Sequence, residues 1–551
     1  MRNRAIVASI AAISAASMLL TACSGRDTTA APSASVDAGA LVASQPEGTE
    51  AVDEVTWAIV EGEPATLNPA ASANLIIPNL CDNLLSLQPD FSIAPGIATS
   101  AEFVDPVTFV IDLRDDVTFW DGTPVTADDV VYSLQQSTNP TSQWYGAFAL
   151  VVPDHAVGIT ATGPNQVTVR FVAPDSTFRD ALAGQGSAVM QRAFGEAAGD
   201  AMGTPDGGLM CTGPYQLDQG GWKPGSEIVT TANEDYWGGA PLVETLRYTF
   251  VSDSSTLATA LTQGEIDGAI NVSPSSRAAL EGDGAGTLTI GPSTASYSFG
   301  PTSATSAAAN PDIRRALSLA IDRDQFIESV ANGLGTTQKT FVPPFSFSSM
   351  GEAAIYKAGY DALAEPEVDI EAAQKLVAES GEDLSVPLVI AVPAGVKEFQ
   401  QTATIVQSAG KQIGLDIQIN EMQASDFGAM FYDATKREGV DFLATAGYLE
   451  VPGVLGYPSL FLLPAEMGGI FNWSGYDNPE VTGHMMAARN ATDPETAAKE
   501  FVAAQEIYAS DMLQVTLAGT YQLTYLNKEL TGATTSIAAY SSPWALHLGG
   551  K

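Results

Sequence analysis

A chain of 551 residues is long enough for two or three domains with sizeable cores. Its 45% hydrophobic and 16% charged residues describe a globular protein and exclude a disordered one. A formal net charge of −40 argues against nucleic acid and against electrostatic attachment to anionic lipid, and reads as an acidic, soluble surface.

In chain order, residues 1–22 read as an export signal: Arg2 and Arg4 precede an apolar run, Ala5 to Leu20, too short for a comfortable membrane span. Residues 23–54 are rich in Ala, Ser, Thr and Gly without periodicity, which predicts a disordered tether. The fold is expected to begin with a strand at Val55–Ile59, followed by another over Thr108–Arg114. Asp121-Gly122 makes a turn, Thr126 is a helix N-cap, and Asp128 and Asp129 favour the dipole of its first turn. Gln166–Val172 alternates as a strand does. Thr212-Gly213-Pro214-Tyr215 is a turn entering a strand, and Leu246–Val251 is β-rich. From Ser254 a helical run puts Leu257, Ala260 and Leu261 on one face, and Gly264 stops it. A strand restarting at Glu265-Ile266-Asp267 completes a parallel strand–helix–strand unit.

Beyond Thr289 the chain is expected to cross to a second lobe. Asn310 and Pro311 start a helix in which Ile313, Ala316, Leu317, Ala320 and Ile321 share one face. Leu388–Val392, Lys397–Ile413 and Leu415–Asn420 read as strand, helix and strand, with Gly414 as the stop, so this lobe has its own parallel sheet. Asp477-Asn478-Pro479 and Asp493-Pro494 each start a helix. Leu517–Leu526 predicts a β-rich return to the first lobe.

Several motifs together resemble one family. They are Glu63-Pro64-Ala65-Thr66-Leu67-Asn68-Pro69; Phe119-Trp120-Asp121-Gly122-Thr123-Pro124 running on to Val131-Tyr132-Ser133; Cys211-Thr212-Gly213-Pro214-Tyr215; and Asn233-Glu234-Asp235-Tyr236-Trp237-Gly238-Gly239. Leu261-Thr262-Gln263-Gly264-Glu265-Ile266-Asp267 and Ile313–Arg323 continue the series. In this order and spacing the chain resembles the bacterial extracellular solute-binding proteins of the peptide and nickel ABC importers, family 5. That resemblance spans about Val55 to Trp544. It implies an α/β, two-lobed periplasmic-binding-protein-like fold of type II, with parallel-containing sheets joined by a hinge. The expected layout is lobe I over 55–292, enlarged by an extra subdomain at about 86–205, then lobe II over 293–516, then a return to lobe I over 517–551. Leu20-Thr21-Ala22-Cys23 resembles the bacterial lipoprotein box, which implies a lipid anchor on Cys23 and an extracytoplasmic location at the cell membrane.

The sequence makes no positive case for an enzyme. It contains no Gly-x-Ser-x-Gly elbow, no His-Glu-x-x-His and no Gly-x-x-x-x-Gly-Lys loop. His155, His484 and His547 are scattered and there is no Cys-x-x-Cys, so neither a zinc site nor a cofactor is expected. Cys81 and Cys211 suit one disulfide in an exported chain. Both stand where the family commonly has another residue type, which favours their pairing.

Trp144, Tyr145, Tyr448, Trp473, Tyr476 and Tyr521 lie in segments rich in Gly, Ser or Asn, where loops lining a cleft occur. Thr212 and Gly213 join them as candidates, whereas Trp120 and Trp237 read as structural. The run from Asp441 to Pro452 is similar to the segment in which peptide-binding members hold the ligand's α-ammonium group. Glu450 is its nearest acid, the other reading being a solvated loop acid. Lys397 falls some residues beyond where dipeptide binders carry an Arg, which points to longer or non-peptide ligands. The resemblance implies capture of peptides by hinge closure and delivery to an importer permease. Nickel chelates, opines and oligosaccharides remain open as ligands, and an extracytoplasmic enzyme or chaperone is the reading from another class.

Overall fold

In the first of two large sheets, the strand Val52–Ile59 runs parallel to both of its neighbours, Val243–Phe250 and Gly268–Ile270. A computed structural model describes residues 36, 40–139, 142, 144, 148, 158–282, 284–347, 350–447, 451 and 453–551. The helix Ser254–Gln263 joins those two neighbours, capped by Asp253, whose carboxylate accepts from the backbone N–H of Thr256. The expected strand–helix–strand unit is therefore present, with Val52–Ile59 lying between its two strands. Its second strand starts at Gly268 rather than at Glu265. The amides of Glu265 and Ile266 still bond the carbonyl of Ala260, and Asp267 accepts from the amide of Thr56.

At the centre of this sheet Trp57 is fully buried against Trp544, ring centroids 4.3 Å apart. Gly268 passes so close that a Cβ there would meet the Trp57 ring at 2.3 Å. Antiparallel strands extend the sheet on both sides, Glu227–Ala232 on one and Gln522–Asn527 then Gly286–Gly291 on the other.

The second sheet has six strands, with Leu388–Pro393 parallel to Ile417–Met422 and to Phe442–Gly447. The helix Lys397–Ile413 forms the crossover, and its Ala403, Val406 and Ala409 pack into the same core as Ile390 and Phe442. The chain passes between the two sheets twice. Gly291 ends a strand of the first and Ser296 begins one of the second, while Tyr521 alone separates Val515–Thr520 from Gln522–Asn527. The run expected to return wholly to the first lobe from residue 517 is thus divided. Ala518 and Gly519 pair with Tyr297 and Ser296, which keeps their strand in the second sheet.

A separate four-stranded antiparallel sheet, Ala98–Asp105, Thr108–Leu113, Gln166–Arg170 and Ile159–Gly163, packs with the helix Ala127–Ser137. Thr126 and Asp129 form a reciprocal capping box at the start of that helix. The tether expected to reach residue 54 ends earlier. Val42 donates to the carbonyl of Ile290, Gln45 to Ala533 and Gly48 to His547, so the backbone is paired from Val42 onward and its strand begins at Val52. The expected signal segment and anchor residue, Cys23 included, lie outside the described residues.

Gly268→Ala overpacks the Trp57 ring and lowers stability by about 1–3 kcal/mol, read as a shifted denaturant midpoint.

Candidate functional site

Two of the sequence motifs meet at one buried carboxylate. Asp82, 6% exposed, accepts from the Tyr236 hydroxyl (2.7 Å), the Trp237 indole N–H (3.0 Å) and the Thr212 hydroxyl (2.8 Å). Burial pushes its pKa up, against the pull of these three donors. Beside it, Cys81 and Cys211 form a disulfide. Gly213 lies on the backbone of Leu80, where a Cβ would come within 2.4 Å, and its carbonyl accepts from the Trp120 indole. Thr212 and Gly213, expected at the ligand site, belong instead to this knot, because the hydroxyl of one is engaged and the other is walled in by backbone. Replacing both Cys81 and Cys211 by alanine costs about 2–5 kcal/mol of stability, and reductant acting on the native protein reproduces the loss.

Two of the candidate aromatics also have their polar atoms engaged. Trp144 donates its indole N–H to the carbonyl of Pro69 (2.7 Å). The Tyr476 hydroxyl donates to Asp511 (2.6 Å), and burial with that carboxylate nearby raises its pKa. Both contacts fasten loops to the framework rather than leave groups for a ligand. Tyr521 sits at the crossing between the sheets, buried, its ring 6.4 Å from Phe345. Trp473 stacks among Phe431 and Phe471 under the Arg437 guanidinium, 4.3 Å above its ring, and lines a small pocket with Thr445, Phe461 and Gln514. Tyr145, Tyr448 and Glu450 lie outside the described residues.

In α/β sheets, ligands bind beyond the carboxyl ends of parallel strands. At those ends of the first sheet, Glu61 follows Ile59 by two residues and Asn271 follows Ile270 directly. Asn271 holds a φ of 62°, a left-handed conformation uncommon outside glycine. Its amide donates to Glu61 (2.5 Å) and to the Tyr540 hydroxyl, which itself donates to Glu61. Gln522, next to the crossing, donates to the Asn271 carbonyl oxygen (2.6 Å) and fixes its orientation.

Two residues on, the Ser273 hydroxyl donates to Glu398, in the first turn of the helix that follows Leu388–Pro393. Phe442–Gly447 runs parallel to that strand. Carboxyl-end segments of both sheets therefore converge around residues 271–273. They offer carboxylates, hydroxyls and amides, the groups that recognise a polar solute. Among the described residues, no group of three or more His, Cys, Asp or Glu is placed to hold a metal ion. Glu61, Asn271, Ser273, Glu398 and Tyr540 were missed from the sequence. Their only local signal is their position just after the ends of parallel strands, or, for Tyr540, none.

The family model of the bacterial extracellular solute-binding proteins, family 5 Middle, matches residues 92–469, and the chain belongs to this family. It is 27% identical over 516 residues to Protein XP55 of Streptomyces lividans, covering 88% of this chain and 87% of that one. It is 24% identical over 490 residues to the periplasmic murein peptide-binding protein MppA of Escherichia coli K12, covering 84% and 87%. The structure of the binding protein AgaA from A. tumefacien R10 in complex with agropinic acid superposes with a TM-score of 0.78 at 20% identity. That match covers 90% of this chain and 99% of AgaA and establishes the two-lobed α/β fold. The chain is accordingly a substrate-binding protein of the ABC importer class.

Proposed function

We propose that this chain is a lipid-anchored binding protein that captures peptides between its lobes and delivers them to the permease of an ABC importer. The observation that carries the reading is the convergence of strand ends. Glu61 and Asn271 come from one sheet, and Ser273, two residues on, meets Glu398 of the other. The lobes are residues 42–291 with 522–551, bearing the extra subdomain of about 86–205, and residues 296–520. They turn about the two crossings. A solute touching both lobes shifts the open–closed equilibrium, and the permease reads the closed shape. Glu450 takes the ligand's ammonium group, with Tyr448 and Trp473 supplying aromatic surface on the same lobe.

The murein peptide-binding relative supports a peptide ligand. The agropinic acid complex favours a second reading, an opine or other non-peptide solute in the same role. Mass spectrometry of small molecules released on denaturing the purified protein separates the two. If peptide is released, Glu450→Gln weakens its binding about 10-fold or more, since a charge-assisted bond to a desolvated ammonium is lost. N-acetylating the peptide weakens binding to the wild type but adds little in the variant. Equal wild-type affinity for free and acetylated peptide rules the ammonium clamp out.

Anchoring is supported by Leu20-Thr21-Ala22-Cys23. Cys23→Ala releases the protein from membranes or blocks its processing, and unchanged partitioning into the detergent phase sinks the anchor.

A further inference from the structure

We propose that Asp175 and Arg489 form a latch that holds the two lobes together independently of the solute. The proposal rests on the reading above that the chain works by closure about its crossings. Asp175 follows the subdomain strand Gln166–Arg170 and is fully buried. Arg489 lies in the last turn of the helix Pro479–Asn490, and its side chain is 7% exposed. Its Nε donates to Oδ2 of Asp175 at 2.9 Å, and Nη2 lies 2.9 Å from the same oxygen in an ion pair. The other carboxylate oxygen accepts from the amide (2.9 Å) and hydroxyl (2.6 Å) of Thr177, so both oxygens are satisfied.

The neighbouring residue adds a second tie. Ser176 donates its amide to the carbonyl of Arg489 (2.7 Å) and its hydroxyl to that of Ala488 (3.3 Å). These carbonyls are among the last of their helix; that of Ala488 also accepts from the amide of Ala491, and Ser176 adds a partner at this end. One loop of the subdomain thus supplies both a counter-ion and a C-terminal cap to a helix of the other lobe. That helix is held in its own lobe by Val481, Met485 and Ala488, which pack in one core with Ala498 and Phe501 of the helix Pro494–Asp511. The two partners are 314 residues apart in sequence, so their contact is made by tertiary structure alone.

The energetics suit a reversible catch. Burying two charges costs much of what their mutual attraction returns, so the pair favours closure without locking it. When the lobes part, both charges regain water, and the Asp175–Thr177 bonds stay within their loop. Removing one partner acts on the closed form alone, because only there is the other left buried without a counter-charge. Arg489 and Asp175 form no hydrogen bond with Glu61, Asn271, Ser273 or Glu398. The latch therefore sets how much of the solute-free protein is closed without choosing the solute.

The test uses the solute-free protein, so its outcome does not depend on which solute is bound and leaves the peptide reading standing if the latch fails. Hydrogen exchange is followed in the segment 171–178, with small-angle X-ray scattering for overall dimensions. The latch predicts a protected Ser176 amide in the wild type. It predicts exchange about tenfold or more faster, with a larger radius of gyration, in Asp175→Leu and Arg489→Met. The double variant Asp175→Leu/Arg489→Met removes the latch without leaving a buried charge unpaired, so it stays more open than wild type but is no more open than either single variant, while Arg489→Lys falls between wild type and Arg489→Met. Protection of strands Thr108–Leu113 and Leu388–Pro393 in every variant shows that the lobes themselves remain folded. Single variants that match the wild type in exchange and dimensions overturn the proposal, as does a double variant whose loss is the sum of the two single losses or that is as closed as the wild type.

Discussion

The Asp82 carboxylate stands at the neck of the subdomain, and the first lobe depends on how its charge is satisfied. Removing a carboxylate from water is costly, and the cost is partly offset here by three donors from two other segments, Thr212, Tyr236 and Trp237. The adjoining disulfide joins residues 130 apart in sequence, and the whole four-stranded sheet from residue 98 to 170 lies inside the loop it closes. A covalent tie and a saturated buried carboxylate thus fix both ends of an inserted subdomain to the first lobe. The Arg114 guanidinium, 4.0 Å over the Trp237 ring, closes the knot from outside.

That rigidity has a functional consequence. The subdomain carries Asp175, and a loop that grips a helix of the other lobe can transmit closure only if its own base does not yield. The lobes are joined by two short crossings, at residues 291–296 and at Tyr521. Gln522, beside the second, holds Asn271 in place at the strand ends. A rotation at the crossing is therefore coupled by a hydrogen bond to the groups that would meet a solute. Backbone pairing of Val42, Gln45 and Gly48 with Ile290, Ala533 and His547 ties the first lobe together beside the crossing.

Much of this was legible in the chain. The helices starting at Thr126, Asn310, Asn478 and Asp493 carry capping residues that act over three or four positions, so local chemistry suffices to find them. Both strand–helix–strand units were readable from periodicity and a stop glycine. The motifs read as structural turns, around Trp120 and Trp237, meet at Asp82 and Gly213, and Cys81 pairs with Cys211. Boundaries went astray where pairing partners were distant. Val515–Thr520 looks like a continuous β run with Gln522–Asn527, and only its bonds to Ser296–Pro301 and Gly335–Thr337 assign it to the second sheet.

The sequence by itself determined the element types, the family and the covalent tie, because periodicity, caps and motif spacing are short-range properties. The tertiary structure decided which polar groups face one another. Glu61, Asn271 and Tyr540 span 479 positions of sequence and are ordinary residue types, so no local pattern marks them. Asp175 and Arg489 are likewise unremarkable until the fold buries both and leaves each as the other's counter-charge. A buried charge must be paired where it ends up in space, and that place is set by the packing of whole lobes, not by the neighbours along the chain.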